Sequence, residues 1–113
     1  MIDKVTFKGM YDNFDKEVIV EIIDIFISEY PERMVSIQEA IQLNDLDNLY
    51  RRCHSLKGVI ANFYDEDARI LAFALEQKGK NGDPSGLAEL FEQLKPAAEK
   101  LLVELKAIRA DYL

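Results

Sequence analysis

With one histidine, one cysteine and no long apolar run, these 113 residues exclude several classes of protein at once. The lone Cys53 rules out an intramolecular disulfide framework and a cysteine-rich zinc site. His54 and scattered carboxylates do not give metal-ligand spacing, and no Glu-x-x-His pair exists for a di-metal bundle, so no metal site is expected. Nothing approaches the roughly 20 apolar residues that cross a bilayer. The amino terminus, MIDKVTFKGMYDNFDKE, has no apolar signal core, and cysteine usage is compatible with a reducing compartment, so a cytoplasmic location is expected. Basic residues are outnumbered 14 to 21, for a formal charge of −7. That balance argues against non-specific nucleic-acid binding and against anionic membrane surfaces. No Gly-rich phosphate loop or Ser/His/Asp arrangement is visible. The chain is therefore not expected to be an enzyme with its own ATP-dependent kinase activity.

What is present is helical periodicity. Apolar residues recur at spacings of three and four, with no sustained period-two alternation. A first long segment, about Asp15 to Leu43, carries Ile19, Ile23, Phe26, Tyr30, Met34, Ile37 and Ile41 as one stripe. Pro31 falls in its middle, but the stripe keeps phase, which favours one kinked helix over two. Residues 1–14 read as an amino-terminal addition, a short helix laying Val5 and Phe7 on the rest. A second segment, capped by Asp45 or Asn44, carries Leu46, Leu49, Cys53, Leu56, Ile60 and Phe63. The third, from about Asp65 to Lys78, turns Ala68, Leu71, Ala72 and Leu75 inward and stops at KGKNGDPSG. The fourth is expected to start with Asp83 as cap and Pro84 as first helical residue. Its stripe runs Leu87, Phe91, Leu94, Ala98, Leu101, Leu105, Ile108 and Tyr112, with a kink at Pro96. The fold class is all-α: an antiparallel up-and-down four-helix bundle, residues 15–113, with a short amino-terminal helix, in a single domain of 113 residues.

His54 follows the core residue Cys53 by one position, about 100° around the helix. It shares a neighbouring stripe with Asp47, Tyr50, Arg51, Lys57, Gly58 and Ala61. Taken alone, a histidine there is a surface residue of no special role. Gly58 changes that reading, because a glycine inside a helix costs about 1 kcal/mol relative to alanine. Beside an imidazole, a missing side chain leaves room for close approach. Lys57 adds a mobile cation and Ala61 extends the cleared surface. An exposed imidazole is substantially unprotonated near neutral pH. Neutral ring nitrogen, open path and adjacent donor are the requirements of a phosphoryl acceptor.

HSLKG in the middle of a helical bundle resembles the signature of histidine-containing phosphotransfer (HPt) domains. The wider stretch FISEYPERMVSIQEAIQLNDLDNLYRRCHSLKGVIANF and the later ALEQKGKNGD are similar to that family too, and the resemblance spans Phe14 to Leu105. It implies that His54 is phosphorylated, that Lys57 supports the phosphoryl group or the docked partner, and that Gly58 keeps the surface clear. It implies response-regulator receiver domains as partners, an upstream hybrid histidine kinase, and Mg²⁺ supplied by the receiver, the chain holding no cofactor of its own. A monomer is expected. Tyr50, Arg51 and Ala61 would lie at the partner surface. Arg51 and Arg52 read equally as a solvated face or as contacts to an acidic receiver pocket. Where the family usually has glycine ten residues after the histidine, this chain has Tyr64; a bulky residue tolerates positive φ poorly, so a different turn is expected.

The remaining candidates read as structure. Cys53 lies on the core stripe and is expected to pack. Glu66 and Asp67 suit a helix start, Lys78 and Lys80 a helix end, and Asp45 and Asp47 a cap and a solvated charge. Two alternatives stay open: a helical interaction module that carries no phosphoryl group, hinted at by Tyr64, and the phosphotransfer domain of a larger chemotaxis-type kinase.

Overall fold

Spacings of three and four build five α-helices in the computed structural model, which describes all 113 residues: α1 (Lys4–Tyr11), α2 (Lys16–Gln42), α3 (Leu46–Ala61), α4 (Glu66–Lys80) and α5 (Leu87–Asp111). α2 spans 27 residues, about 40 Å at 1.5 Å per residue, and sets the long axis of a 42 × 22 × 20 Å molecule. α3 packs on α4, α4 on α5, α5 on α2 and α2 on α3, closing a four-helix ring. The short links between consecutive helices make neighbours antiparallel. The core is one cluster of 23 residues drawn from all five helices and their ends.

α2 runs unbroken through Pro31, which faces solvent; Ile19, Ile23, Phe26, Met34 and Ile37 are buried, and Tyr30 and Ile41 half-buried. Asp45 caps α3, accepting from the Asn48 amide at 3.1 Å. Leu49, Cys53, Leu56, Ile60 and Phe63 are fully enclosed. Asp65 caps α4 in the same way, accepting from the Ala68 amide at 3.1 Å.

Four expectations need correction. Val5 points to solvent at 85% exposure, and the amino-terminal segment is anchored instead by Ile2, Phe7 and Tyr11. α4 does not end at Lys78: it continues through Gly79, which is buried. α5 does not begin at Pro84. Asp83 accepts from the amide and hydroxyl of Ser85 at 3.0 and 2.6 Å, holding a turn, and the helix starts only after Gly86 at φ 72°. A side chain that captures its own loop competes with capping a helix. Finally, Tyr64 adopts φ 60°, the left-handed conformation after α3 that glycine would take. Its carbonyl accepts from the Asp3 amide at 2.8 Å, and Ile2 forms an isolated bridge with Asp65, so the amino-terminal segment grips this turn. Contacts from that segment and half-burial of the ring offset the backbone cost.

Candidate functional site

The site begins with a close approach of two helices. A Cβ on Gly79 would stand 2.7 Å from the Tyr50 amide nitrogen and 2.8 Å from the Leu46 carbonyl oxygen. Only glycine lets α4 press against the α3 backbone at that point. One turn earlier on α4, on the same buried face, is Glu76. Its carboxylate is only 4% exposed and reaches both candidate side chains of α3, His54 and Lys57. Oε1 lies 2.7 Å from His54 Nδ1, and Oε2 accepts from Lys57 Nζ at 2.9 Å.

Burial pushes the Glu76 carboxyl up, but the hydrogen bonds from Lys57 and His54, aided by their charge, outweigh it, and the group sits below its ordinary value. It is therefore ionised at neutral pH and can only accept. His54 Nδ1 must carry the hydrogen, which leaves the Nε2 lone pair free. The ring itself is 62% exposed. Tyr50 stacks against it, with centroids 5.9 Å apart and planes inclined by 28°. A Cβ at Gly58 would meet nothing within 4 Å, so the space beside the ring is open.

Lys57 is not the mobile cation that its place in the sequence suggests. Its side chain is 22% exposed, held by Glu76 on one side and standing over the Phe73 ring at 5.1 Å on the other. His54, Lys57, Gly58 and Tyr50 are brought together. Ala61 is exposed two turns along α3. Arg51 is exposed and paired with Asp47 at 3.2 Å. Burial, with the negative charge of Glu76 adding to it, pushes the Cys53 thiol up to about 12, so this cysteine is inert at neutral pH.

Sequence reading missed Glu76, Phe73 and the role of Gly79. The signal for Glu76 was a charge on the inward stripe of Ala68, Ala72, Leu75 and Gly79. For Phe73 there was none: it is 40% exposed and off that stripe.

A family model for the Hpt domain matches residues 21–110. The chain belongs to the Hpt domain family. Its fold is shared with a solved Hpt protein, histidine-containing phosphotransfer protein B (HptB) from Pseudomonas aeruginosa PAO1, at a TM-score of 0.89 and 23% identity over 99% of this chain and 96% of that one. No curated protein sequence matches. As an Hpt domain, the chain serves histidine phosphotransfer in two-component phosphorelay signalling, where the family's partners are response-regulator receivers. No helix is long and apolar enough to cross a membrane.

Proposed function

We propose that this Hpt domain accepts a phosphoryl group on His54 Nε2 from a receiver aspartyl phosphate and passes it to a second receiver. One observation carries the reading: the ionised Glu76 holds Nδ1, so the exposed nitrogen is the nucleophile. In transfer, the Nε2 lone pair attacks phosphorus, an N–P bond forms and the P–O bond to the aspartate breaks. The freed aspartate keeps the bonding pair. Nδ1 keeps its hydrogen, and the ring gains a positive charge that the Glu76 carboxylate offsets. Return of the phosphoryl group to a receiver aspartate reverses each step. Glu76 thus stabilises the charged phosphohistidine without touching phosphorus. The receiver supplies Mg²⁺, and the chain contributes no cofactor and no nucleotide chemistry.

Lys57 serves as a positioning group: bound to Glu76, it helps keep that carboxylate ionised and places a cation near the phosphoryl oxygens. Gly58 and Ala61 leave the approach clear, while Tyr50 and the half-covered Phe73 offer aromatic surface to a docked receiver. The left-handed turn at Tyr64 keeps the backbone conformation that glycine would take, which supports the carrying reading over a non-carrying module.

The test is incubation with each phosphorylated receiver of the source organism. Acid-labile, base-stable label on the wild type and none on His54→Gln is expected. Equal labelling of both, or no labelling of the wild type by any receiver, contradicts the proposal.

A further inference from the structure

Arg33, Ser36, Asn48, Arg51, Arg52 and Ser55 line a pocket of about 320 Å³ between α2 and α3, and none of the six is hydrophobic. Three arginines around one cavity are unexpected in a chain of net charge −7. Their charges are only partly answered within the molecule. Arg33 meets Glu29 at 3.6 Å and donates from Nη1 to Ser55 Oγ at 2.8 Å, while Arg51 pairs with Asp47 at 3.2 Å. The Arg33 Nε is buried and has no hydrogen-bond partner. Arg52 is exposed and enters no ion pair.

We propose that this pocket is an oxyanion-recognition site that receives a carboxylate side chain of the protein docked over His54. The assignment rests on the phosphotransfer reading, because it needs a partner on that face. Geometry places the two together: Arg51 is one turn before His54 and about 60° around α3 from it, and Ser55 is the residue after it. The rest of the α3 lining, Asn48, Arg52 and Ser55, lies further round toward α2, so a protein that covers the histidine and extends over α2 reaches the mouth of the pocket. Guanidinium groups recognise planar carboxylates through paired hydrogen bonds, and the pocket offers three of them with hydroxyl and amide groups between. A partner carboxylate is favoured over a free phosphate ion. The net charge of −7 repels a small dianion, whereas a side chain on a docked protein arrives at high effective concentration. The pocket then sets the orientation of the receiver on an otherwise acidic surface.

The experiment measures transfer rate against receiver concentration for the wild type, Arg52→Gln and Arg33→Gln, using a receiver that labels the wild type. Arg52 has no internal partner, so its variant reports on the pocket even if Arg33→Gln loosens the α2–α3 packing. The half-saturating receiver concentration is expected to rise about tenfold in Arg52→Gln, with the limiting rate unchanged and a weaker dependence on salt. Unchanged half-saturation and salt dependence in both variants overturns the proposal. Inorganic phosphate at millimolar concentration that shifts the arginine side-chain resonances without competing with the receiver also overturns it, since the occupant is then a free ion and not the partner. If no receiver labels the wild type, the phosphotransfer reading itself fails and takes this partner with it.

Discussion

A glutamate places one oxygen on His54 Nδ1 and the other on Lys57 Nζ, and in the proposed transfer its charge sets the reactivity of the ring. A hydrogen bond to a charged group contributes about 1.5–3 kcal/mol, and each 1.4 kcal/mol is a factor of about ten. Glu76→Gln should therefore slow transfer to His54 about tenfold or more while leaving receiver binding nearly unchanged; stopped-flow transfer at saturating receiver checks this. The same residue predicts a pH effect on stability. Its folded carboxyl lies below the ordinary value of 4.5, so folding favours the ionised form. That contribution is present above 4.5 and is lost as pH falls through the lower, folded value. In urea melts, the stability gap between wild type and Glu76→Gln should be constant near neutrality and shrink in acid. A gap that widens in acid would contradict the assignment. Tyr64 offers a second residue-scale test. Both Tyr64→Ala and Tyr64→Gly lose the ring, but only glycine is free of the left-handed penalty, so the glycine variant should be the more stable by about 1 kcal/mol.

Two glycines at the helix scale look alike in sequence and differ in role. Gly58 faces open space, and Gly79 faces the α3 backbone. Gly58→Ala should stabilise the fold by up to about 1 kcal/mol. Gly79→Ala should instead destabilise it by about 1–3 kcal/mol, because backbone atoms under 3 Å away cannot yield without separating α3 from α4. Thermal melts of the two variants should move in opposite directions, and the Gly79 variant should also lose the Glu76 contacts. Bulk at position 58 tests access: Gly58→Gln should fold and yet transfer at least about tenfold more slowly. Helix identity and the inward faces were legible because each stripe keeps its own period. The pairing of α3 with α4 was not, since the closeness of Gly79 to Tyr50 is a property of two helices together. For that reason KGKNG read as a stop where the helix in fact continues, and Lys57 read as free where Glu76 holds it. The loop before α5 misled for a local reason: Asp83 spends its carboxylate on Ser85 and Lys78 rather than on a helix end.

Across the whole molecule, a closed ring of four helices shields Cys53 completely and leaves His54 outside, although the two are adjacent in sequence. The thiol is thus a reporter of global opening. It should resist a thiol-specific disulfide reagent in the native state and react at once in denaturant. Its folded pKa of about 12 exceeds the ordinary 9.0, so stability should hold below pH 9.0 and decline progressively above it. The exposed histidine and the placement of HSLKG were readable from phase and resemblance alone. The orientation of the ring was not, because it depends on a side chain 22 residues away. The central claim is that orientation: Nδ1 is held by Glu76 and Nε2 is the phosphorylated atom. Long-range ¹H–¹⁵N correlation spectra of the ¹⁵N-labelled, receiver-phosphorylated domain resolve the two nitrogens directly. Phosphorus coupling is expected at Nε2 of His54, with a retained proton at Nδ1; coupling at Nδ1, or an unmodified His54 ring in a labelled protein, would contradict that orientation.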